Sequence, residues 1–477
     1  MRHLLLTLVA ATLALCFAVT PPAAAEPPNI VIFLADDMGW ADVGFHGGEI
    51  PTPNIDRIAE SGVIFDQFHV QPTCSPSRHA LITGRHPFRY GAHICNGYTH
   101  TAEKGAIEDR FISEAMSDAG YYTAIIGKWH LGSYRRAYWP TSRGFDMFYG
   151  LLSGGMDYFT RRNDGGVTHD WQELHADGSV WEQPLSEEGY VTELLGGRAV
   201  RLVEEHDFDD KPLFLYLSFT APHTPMQAKP EDRARFEHIA DGRRRTYAAM
   251  MHAMDEQIGN VMQALEARGV ADNTLVIFSN DNGGAEKSNA SDNGPLRGSK
   301  GTPFEGGTRV PTAMAWPGKI TPGTRFNEVL HVIDLFPTLV TLGGGTTDQP
   351  NPLDGVDFWP ALMGEASFPT RDLYHNVSDP SGRGFIRSGD WKFIAIRKDR
   401  APDDAIPLSN PRLHGLLFNI ADDPGEQNNL AADRPDLVEE LWGKLKARGP
   451  EVVSAAHYCA KPPQGWRPRP DHALAAD

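Results

Sequence analysis

The chain has little cysteine and too few cations for its acids. Its 477 residues include only 4 cysteines, none in the spacing that a zinc site needs. Against 62 Asp and Glu there are 44 Lys and Arg, a formal charge of −18. That balance argues against nucleic acid or an anionic membrane as the main partner. It leaves room for an anionic small substrate, because a local cationic pocket can lie inside an acidic shell. Long apolar runs are missing too: beyond the first residues no stretch is long and apolar enough to span a bilayer. There is no internal repeat.

What is present is the composition of a globular enzyme, 41% hydrophobic and 10% aromatic with mixed charge. By length it allows about three average domains, or one large α/β domain with an appendage. The N-terminal MRHLLLTLVAATLALCFAVTPPAAAEPPN has a short basic start, an apolar run broken by Pro21 and Pro22, and small residues ending at Ala25. It reads as a signal peptide over 1–25, so the mature protein is expected to be exported, periplasmic or secreted. Cys16 would leave with it. Cys74, Cys95 and Cys459 remain, an odd number in an oxidising compartment. Either one thiol stays free or one of the three is not a thiol at all.

Four apolar runs stop abruptly at polar groups. Residues 30–35 lead into Asp36 and Asp37, and 121–126 into GKWHLG with Lys128 and His130. Residues 213–219 lead into TAPHTP with His223, and 275–279 into NDNGG with Asp281 and Asn282. Short, near-continuous β-branched and aromatic runs are typical of buried parallel strands. Helical segments separate them, roughly 54–61, 78–83, 110–119, 192–205 and 246–267. The alternation predicts a mostly parallel sheet sandwiched by helices. Ligands bind beyond the carboxyl ends of such strands, so all four endings are expected to face one crevice. For any one alone, a solvated strand end is an equally good reading, but not for all four at once.

Asp36, Asp37, Asp281 and Asn282 form an all-oxygen ligand set. Hard donors without His or thiolate suit calcium or magnesium rather than zinc. Their roughly three negative charges would repel one another without a cation between them. One cation with Ca2+-like coordination is the expectation, against an ordinary Asn-Gly turn for NDNGG taken alone. Arg78, Lys128, His130, His223 and Lys300 are the cationic members, Lys300 in the Gly-rich LRGSKGTPFEGG, where little regular structure is expected. Clustered lysines and histidines beside a divalent cation suit a group with several equivalent oxygens.

In TCSPSRHALITGR, Ser75 reads as a helix cap, Pro76 as first turn and Gly84 as the stop. Cys74 would then lie just before a helix N-terminus, where anions are favoured, and a thiol hydrolase is one reading. It fits poorly with a hard, oxygen-ligated cation, because calcium has little affinity for sulfur.

CSPSRHALITGR resembles the sulfatase signature, in which the cysteine of a C-x-P-x-R stretch is oxidised to formylglycine. The similarity spans nearly all of the mature chain, through LADDMGWADVGFHG, GKWHLG, GFDMFYG, FLYLSFTAPHTP, FSNDNGG, LRGSKGTPFEGG, HVIDLFPTLV and LFNIADDPGEQNNLA. The arylsulfatase B (N-acetylgalactosamine 4-sulfatase) type is nearest in pattern. The resemblance implies an alkaline phosphatase-like sulfatase fold. A catalytic domain is expected over 26–365, and a small C-terminal α+β domain over 366–477 with an antiparallel sheet and a helix at 435–448.

The resemblance also implies one Ca2+ ligated by Asp36, Asp37, Asp281, Asn282 and the modified Cys74. Arg78 and Lys128 would hold the formylglycine hydrate, His130 would act as base on it, and His223 and Lys300 would bind sulfate and help the leaving oxygen depart. One hydroxyl of the hydrate would attack sulfur to give a covalent sulfo-enzyme; deprotonation of the second would expel sulfate, which a serine could not do. The substrate would be an aryl sulfate or a sulfated carbohydrate, and a formylglycine-generating enzyme a required partner. With Cys74 consumed, Cys95 and Cys459 can pair, as the resemblance to arylsulfatase B-like chains implies. The small polar contact that the family places after GFDMFYG falls at Ser153 or a glycine beside it.

Two rivals remain in view. A phosphodiester or phosphonate monoester hydrolase can use the same formylglycine site, and a binding protein on a dead scaffold would have lost ligands that this chain keeps. Asn289-Ala-Ser and Asn376-Val-Ser fit the glycosylation pattern. Arg135-Arg136, Arg161-Arg162 and Arg243-Arg244-Arg245 either line a groove for a sulfated polysaccharide or form a solvated face.

Overall fold

Side-chain alternation along the strand Asn29–Ala35 organises the larger part of the molecule. Ile30, Ile32 and Leu34 enter one hydrophobic cluster, Val31, Phe33 and Ala35 another on the opposite face. A strand covered on both faces has no polar side to show, which is why the run reads as continuously apolar. The computed structural model describes residues 26–93, 109–132, 136–162, 171–177, 180–181 and 188–454. The expected signal peptide, Cys95 and Cys459 lie outside them.

Among the described residues the main sheet has ten strands. In spatial order they are Thr324–Phe326, Val63–Phe65, Ala313–Ala315, Thr274–Asn280, Asn29–Ala35, Leu213–Ser218, Tyr122–Lys128, Met147–Leu151, Trp171–His175 and Val180–Trp181. The five from Thr274–Asn280 to Met147–Leu151 run parallel, and antiparallel pairs flank them on either side. Helices Pro53–Glu60, Val191–Glu205 and Gly242–Ala267 cover one face through Ile55, Leu195 and Met250. Cys74–Thr83, Ile112–Asp118 and Leu335–Leu342 cover the other through Leu81, Met116 and Phe336. Among the described residues no helix is long and apolar enough to cross a membrane.

The four expected strands and the helices between them are present, with ends shifted by a few residues. One local expectation is corrected. The helix starts at Cys74 itself, with Thr73 as N-cap and no side-chain cap bond. The Ser75 hydroxyl donates instead to the His130 carbonyl at 3.1 Å, tying the helix to the end of a neighbouring strand.

A second sheet of five strands, all antiparallel, runs Asp372–His375, Gly384–Ser388, Trp391–Arg397, Leu413–Asn419, Ile406–Pro407. Helix Pro435–Ala447 lays Val438, Leu441, Trp442 and Leu445 on it.

Candidate active site

Strand register brings the polar endings together. Ala35 lies opposite Asn280, so Asp36 and Asp281 leave adjacent strands side by side. Ser218 lies opposite both Leu34 and Gly127, which sets Lys128 one residue further along. The result is a buried ionic cluster. Lys128 Nζ is 2.6 Å from Asp36 Oδ2, and Lys300 Nζ is 2.6 Å from Asp37 Oδ1. Arg78 donates through Nε to Asp281 Oδ2 at 2.9 Å, with Nη2 2.8 Å from the same oxygen as an ion pair, and through Nη1 to the Lys128 carbonyl at 3.0 Å and to the Ser218 hydroxyl. Asp36, Arg78, Lys128 and Asn282 have no exposed surface.

Burial alone would raise the Asp36 carboxyl, but Lys128, with His223 and Arg78 behind it, pulls it below the ordinary carboxylate range. Burial and the neighbouring Asp36 charge push Asp281 up to about 6. These carboxylates crowd one another, and the donors fit a hard cation. Asp36, Cys74 and Asp281 each offer a ligand atom within 4.8 Å of the others, as do Asp36, Asp37 and His223. Asp36 Oδ1 and Asn282 Oδ1 are buried without a hydrogen-bond partner among the described residues. Orphaned, inward-facing oxygens are what a calcium or magnesium site leaves when only protein atoms are counted.

The two histidines differ. His130 is buried in the left-handed backbone region at φ 60°. Burial, with Lys128 and Arg78 adding to it, holds its imidazolium far below the usual value, so the ring is neutral. Its two ring nitrogens have no hydrogen-bond partner among the described residues. His223 is partly exposed; its Nδ1 lies 2.6 Å from the Thr224 carbonyl and its Nε2 3.5 Å from Asp37 Oδ2. The Thr224 carbonyl fixes a proton on Nδ1 and so orients Nε2 toward Asp37 and the crevice.

Cys74 opens its helix in this cluster with 6% of its surface exposed. Burial raises its thiol, with Lys128 and Lys300 pulling the other way, so the thiolate that a thiol hydrolase needs is disfavoured.

Three contacts escaped the sequence reading. A Cβ on Gly154 would sit 2.5 Å from His130 Nε2, and one on Gly155 3.5 Å from His223 Nδ1. The loop expected to touch substrate thus lies across both histidines. Asn289, read as a glycosylation candidate, has no exposed surface. Its Nδ2 donates to the Asp37 carbonyl at 2.8 Å and the Pro222 carbonyl at 3.3 Å, bracing the segments that carry Asp37 and His223. No local signal marks this, because its partners are 252 and 67 residues away. Arg244, expected in a polysaccharide groove or on a solvated face, instead pairs with buried Asp42 at 2.6 Å and with Glu49 at 2.9 Å. Arg135 lies outside the described residues.

A crevice at the carboxyl edge of a doubly covered parallel sheet, lined by Asp36, Asp37 and Asp281 against Arg78, Lys128 and Lys300, suits a hydrolase of oxyanion esters. The Sulfatase family model matches residues 28–345, and the chain belongs to that family; it is a sulfuric ester hydrolase. It is 34% identical to arylsulfatase J of Mus musculus over 94% of this chain and 79% of that protein. It is 36% identical to N-acetylgalactosamine-6-sulfatase of Homo sapiens over 88% and 84%. Among solved structures, Ps i-CgsB in complex with k-i-k-neocarrahexaose is similar with a TM-score of 0.79 and 31% identity, covering 94% of this chain and 96% of that one.

Proposed function

We propose that this sulfatase is a calcium-dependent enzyme that cleaves sulfate esters of a carbohydrate through a formylglycine made from Cys74. The observation that carries the reading is the convergence of Asp36, Asp37, Cys74, Asp281 and Asn282 with two lysines, an arginine and two histidines at one sheet edge. Asp36, Asp37, Asp281, Asn282 and the oxygen replacing the Cys74 sulfur would hold Ca2+, which when bound polarises sulfate oxygens and favours an ionised hydroxyl. Oxidation of Cys74 to an aldehyde, then hydration, would put two hydroxyls on one carbon, one to attack sulfur and one to release sulfate.

The chain's own groups do the rest. Arg78 locks Asp281 and the ends of two strands in place, and Lys128 holds Asp36. His130, neutral at physiological pH, takes the proton of the second hydroxyl. Lys300 and His223 bind sulfate oxygens, and one of them protonates the departing alcohol. A sulfated carbohydrate is favoured over a simple aryl sulfate because one relative is named for N-acetylgalactosamine-6-sulfate and a structural neighbour holds a neocarrahexaose. The same reading has residues 1–25 removed on export, to the periplasm or the medium, and a formylglycine-generating enzyme acting on Cys74.

Mass spectrometry of the tryptic peptide containing residue 74 tests it. Aldehyde in place of thiol is expected; active protein with unmodified cysteine would overturn the mechanism. Chelation should abolish hydrolysis, and Ca2+ should restore it. An aryl phosphonate turned over with higher kcat/KM than the matching aryl sulfate would transfer the site to phosphonate monoesters.

A further inference from the structure

The LFNIADDPGEQNNLA stretch resembles the family yet contributes nothing to the crevice, and the structure gives it a place. Glu426 has no exposed surface and sits at φ 53°, in the left-handed region. Its carboxylate Oε2 accepts the backbone N–H of Glu305 at 2.6 Å, and its Oε1 lies 3.0 Å from Lys392 Nζ. Lys392, 1% exposed on a central strand of the second sheet, also donates to Glu305 Oε1 at 2.8 Å. Glu305 in turn holds His69 Nε2 at 3.0 Å through Oε2. One ammonium thus lies between two buried carboxylates where the second sheet meets the catalytic unit. Against burial, Lys392 and His69 hold Glu305 well below its usual range, while burial, resisted by Lys392, pushes Glu426 up to about 7.

Glu305 begins a one-turn helix, Glu305–Thr308, that closes the segment carrying Lys300. Both ends of that segment are held. Arg297 donates to the Glu426 carbonyl at 2.7 Å and its own carbonyl accepts Gly306 N–H at 2.7 Å. Gly283, the residue after Asn282, donates to the Gly307 carbonyl at 3.0 Å, and a Cβ there would stand 1.8 Å from Gly306 O. Lys300 N–H meets the Gly284 carbonyl at 3.1 Å and Gly301 N–H the Pro72 carbonyl at 2.7 Å, two residues before Cys74. A shift of Glu305 is therefore passed by close backbone contact to Asn282, Lys300 and the Cys74 turn.

We propose that Lys392, Glu305 and Glu426 form a positioning device by which the second sheet sets the 297–308 segment and, through it, the reach of Lys300 into the crevice. None of the three touches substrate; they act through Lys300 and Gly283. Isolated charges at this depth are costly, so removing the ammonium leaves Glu305 and Glu426 either to separate or to take up a proton, and in both cases the tie between the second sheet and Glu305 is cut. This inference rests on the sulfatase reading only for its kinetic arm.

The test is hydrogen exchange by mass spectrometry on wild type and Lys392→Met without substrate. Exchange in peptides covering 297–308 should accelerate at least tenfold, while peptides of the strand Asn29–Ala35 keep wild-type rates. In a kinetic cycle, Lys392→Met should lower kcat/KM for a sulfate ester about tenfold in the wild-type background and hardly further in Lys300→Ala, because both act at one point. Unchanged exchange at 297–308, or equal losses in both backgrounds, would overturn the device. Should Lys392→Met not fold, Glu426→Ala, which removes the acceptor of the Glu305 backbone N–H, carries the same comparison. A wild-type chain inactive on every sulfate ester would sink the functional reading and leave the exchange arm intact.

Discussion

Gly154 shows how little room single residues have at this site. Any side chain there must displace the His130 ring, since its Cβ would come within 2.5, 2.7 and 3.1 Å of three ring atoms. Gly154→Ala should lower kcat roughly 10- to 100-fold by misplacing the base, with little change in melting temperature. Steady-state kinetics beside thermal unfolding checks this, and an unimpaired variant would show that the ring has space to spare. Asn289 works through the backbone. Asn289→Ala strands the buried Asp37 and Pro222 carbonyls and should cost about 1–3 kcal/mol in denaturant unfolding. Because the side chain is buried and its amide engaged, the intact mass from a glycosylating host should show no glycan at this position; one found there would contradict the packing.

At the scale of strands and helices, the central sheet depends on backbone approach as much as on apolar side chains. Gly127, at φ 112°, leaves no space between its strand and the next, and a Cβ would stand 1.8 Å from the Ser218 carbonyl oxygen. Gly127→Ala should therefore lose on the order of 3 kcal/mol or more, far above the backbone strain alone. Gly120→Ala is the control: it has φ 91° and nothing within 4 Å of the added methyl. Equal urea midpoints for the two variants would refute the argument. The strands themselves were legible, because continuous runs such as VIFLA end sharply at charged pairs. The strand Met147–Leu151 is less legible, because Gly150 interrupts its MFYGL run and no charged pair marks its end. Ser75 was misassigned for another reason: capping is a local rule, and its hydroxyl found a partner 55 residues away.

Across the whole molecule, buried histidines set the response to acid. Burial lowers His79 to about 3, and His46, His86 and His93 to about 4. Around His86 stand Asp354, Arg89, Arg371 and Asp334. As pH falls below about 6.5, the unfolded chain takes up these protons and the folded chain does not, so stability drops by about 1.4 kcal/mol per pH unit for each. Glu426, raised to about 7, and Asp281, raised to about 6, act in the opposite direction and offset part of the loss. Melting temperature should fall steadily from pH 7 to 5, and His86→Gln should flatten the slope; a flat wild-type profile would refute the assignment.

The sequence by itself determined the strand runs, the polar groups at their carboxyl ends and the family, because these are properties of contiguous residues. The residues of the cluster are legible in it from their types and their places at the strand ends. Only the tertiary structure decided which oxygen meets which ammonium, that Gly154 and Asn289 hold the site in shape, and that Lys392 reaches Glu305 across 87 residues. The physical reason is range. Side-chain chemistry and periodicity are written along the chain, whereas register, close backbone approach and the pairing of buried charges arise between segments that meet only when the sheet has formed.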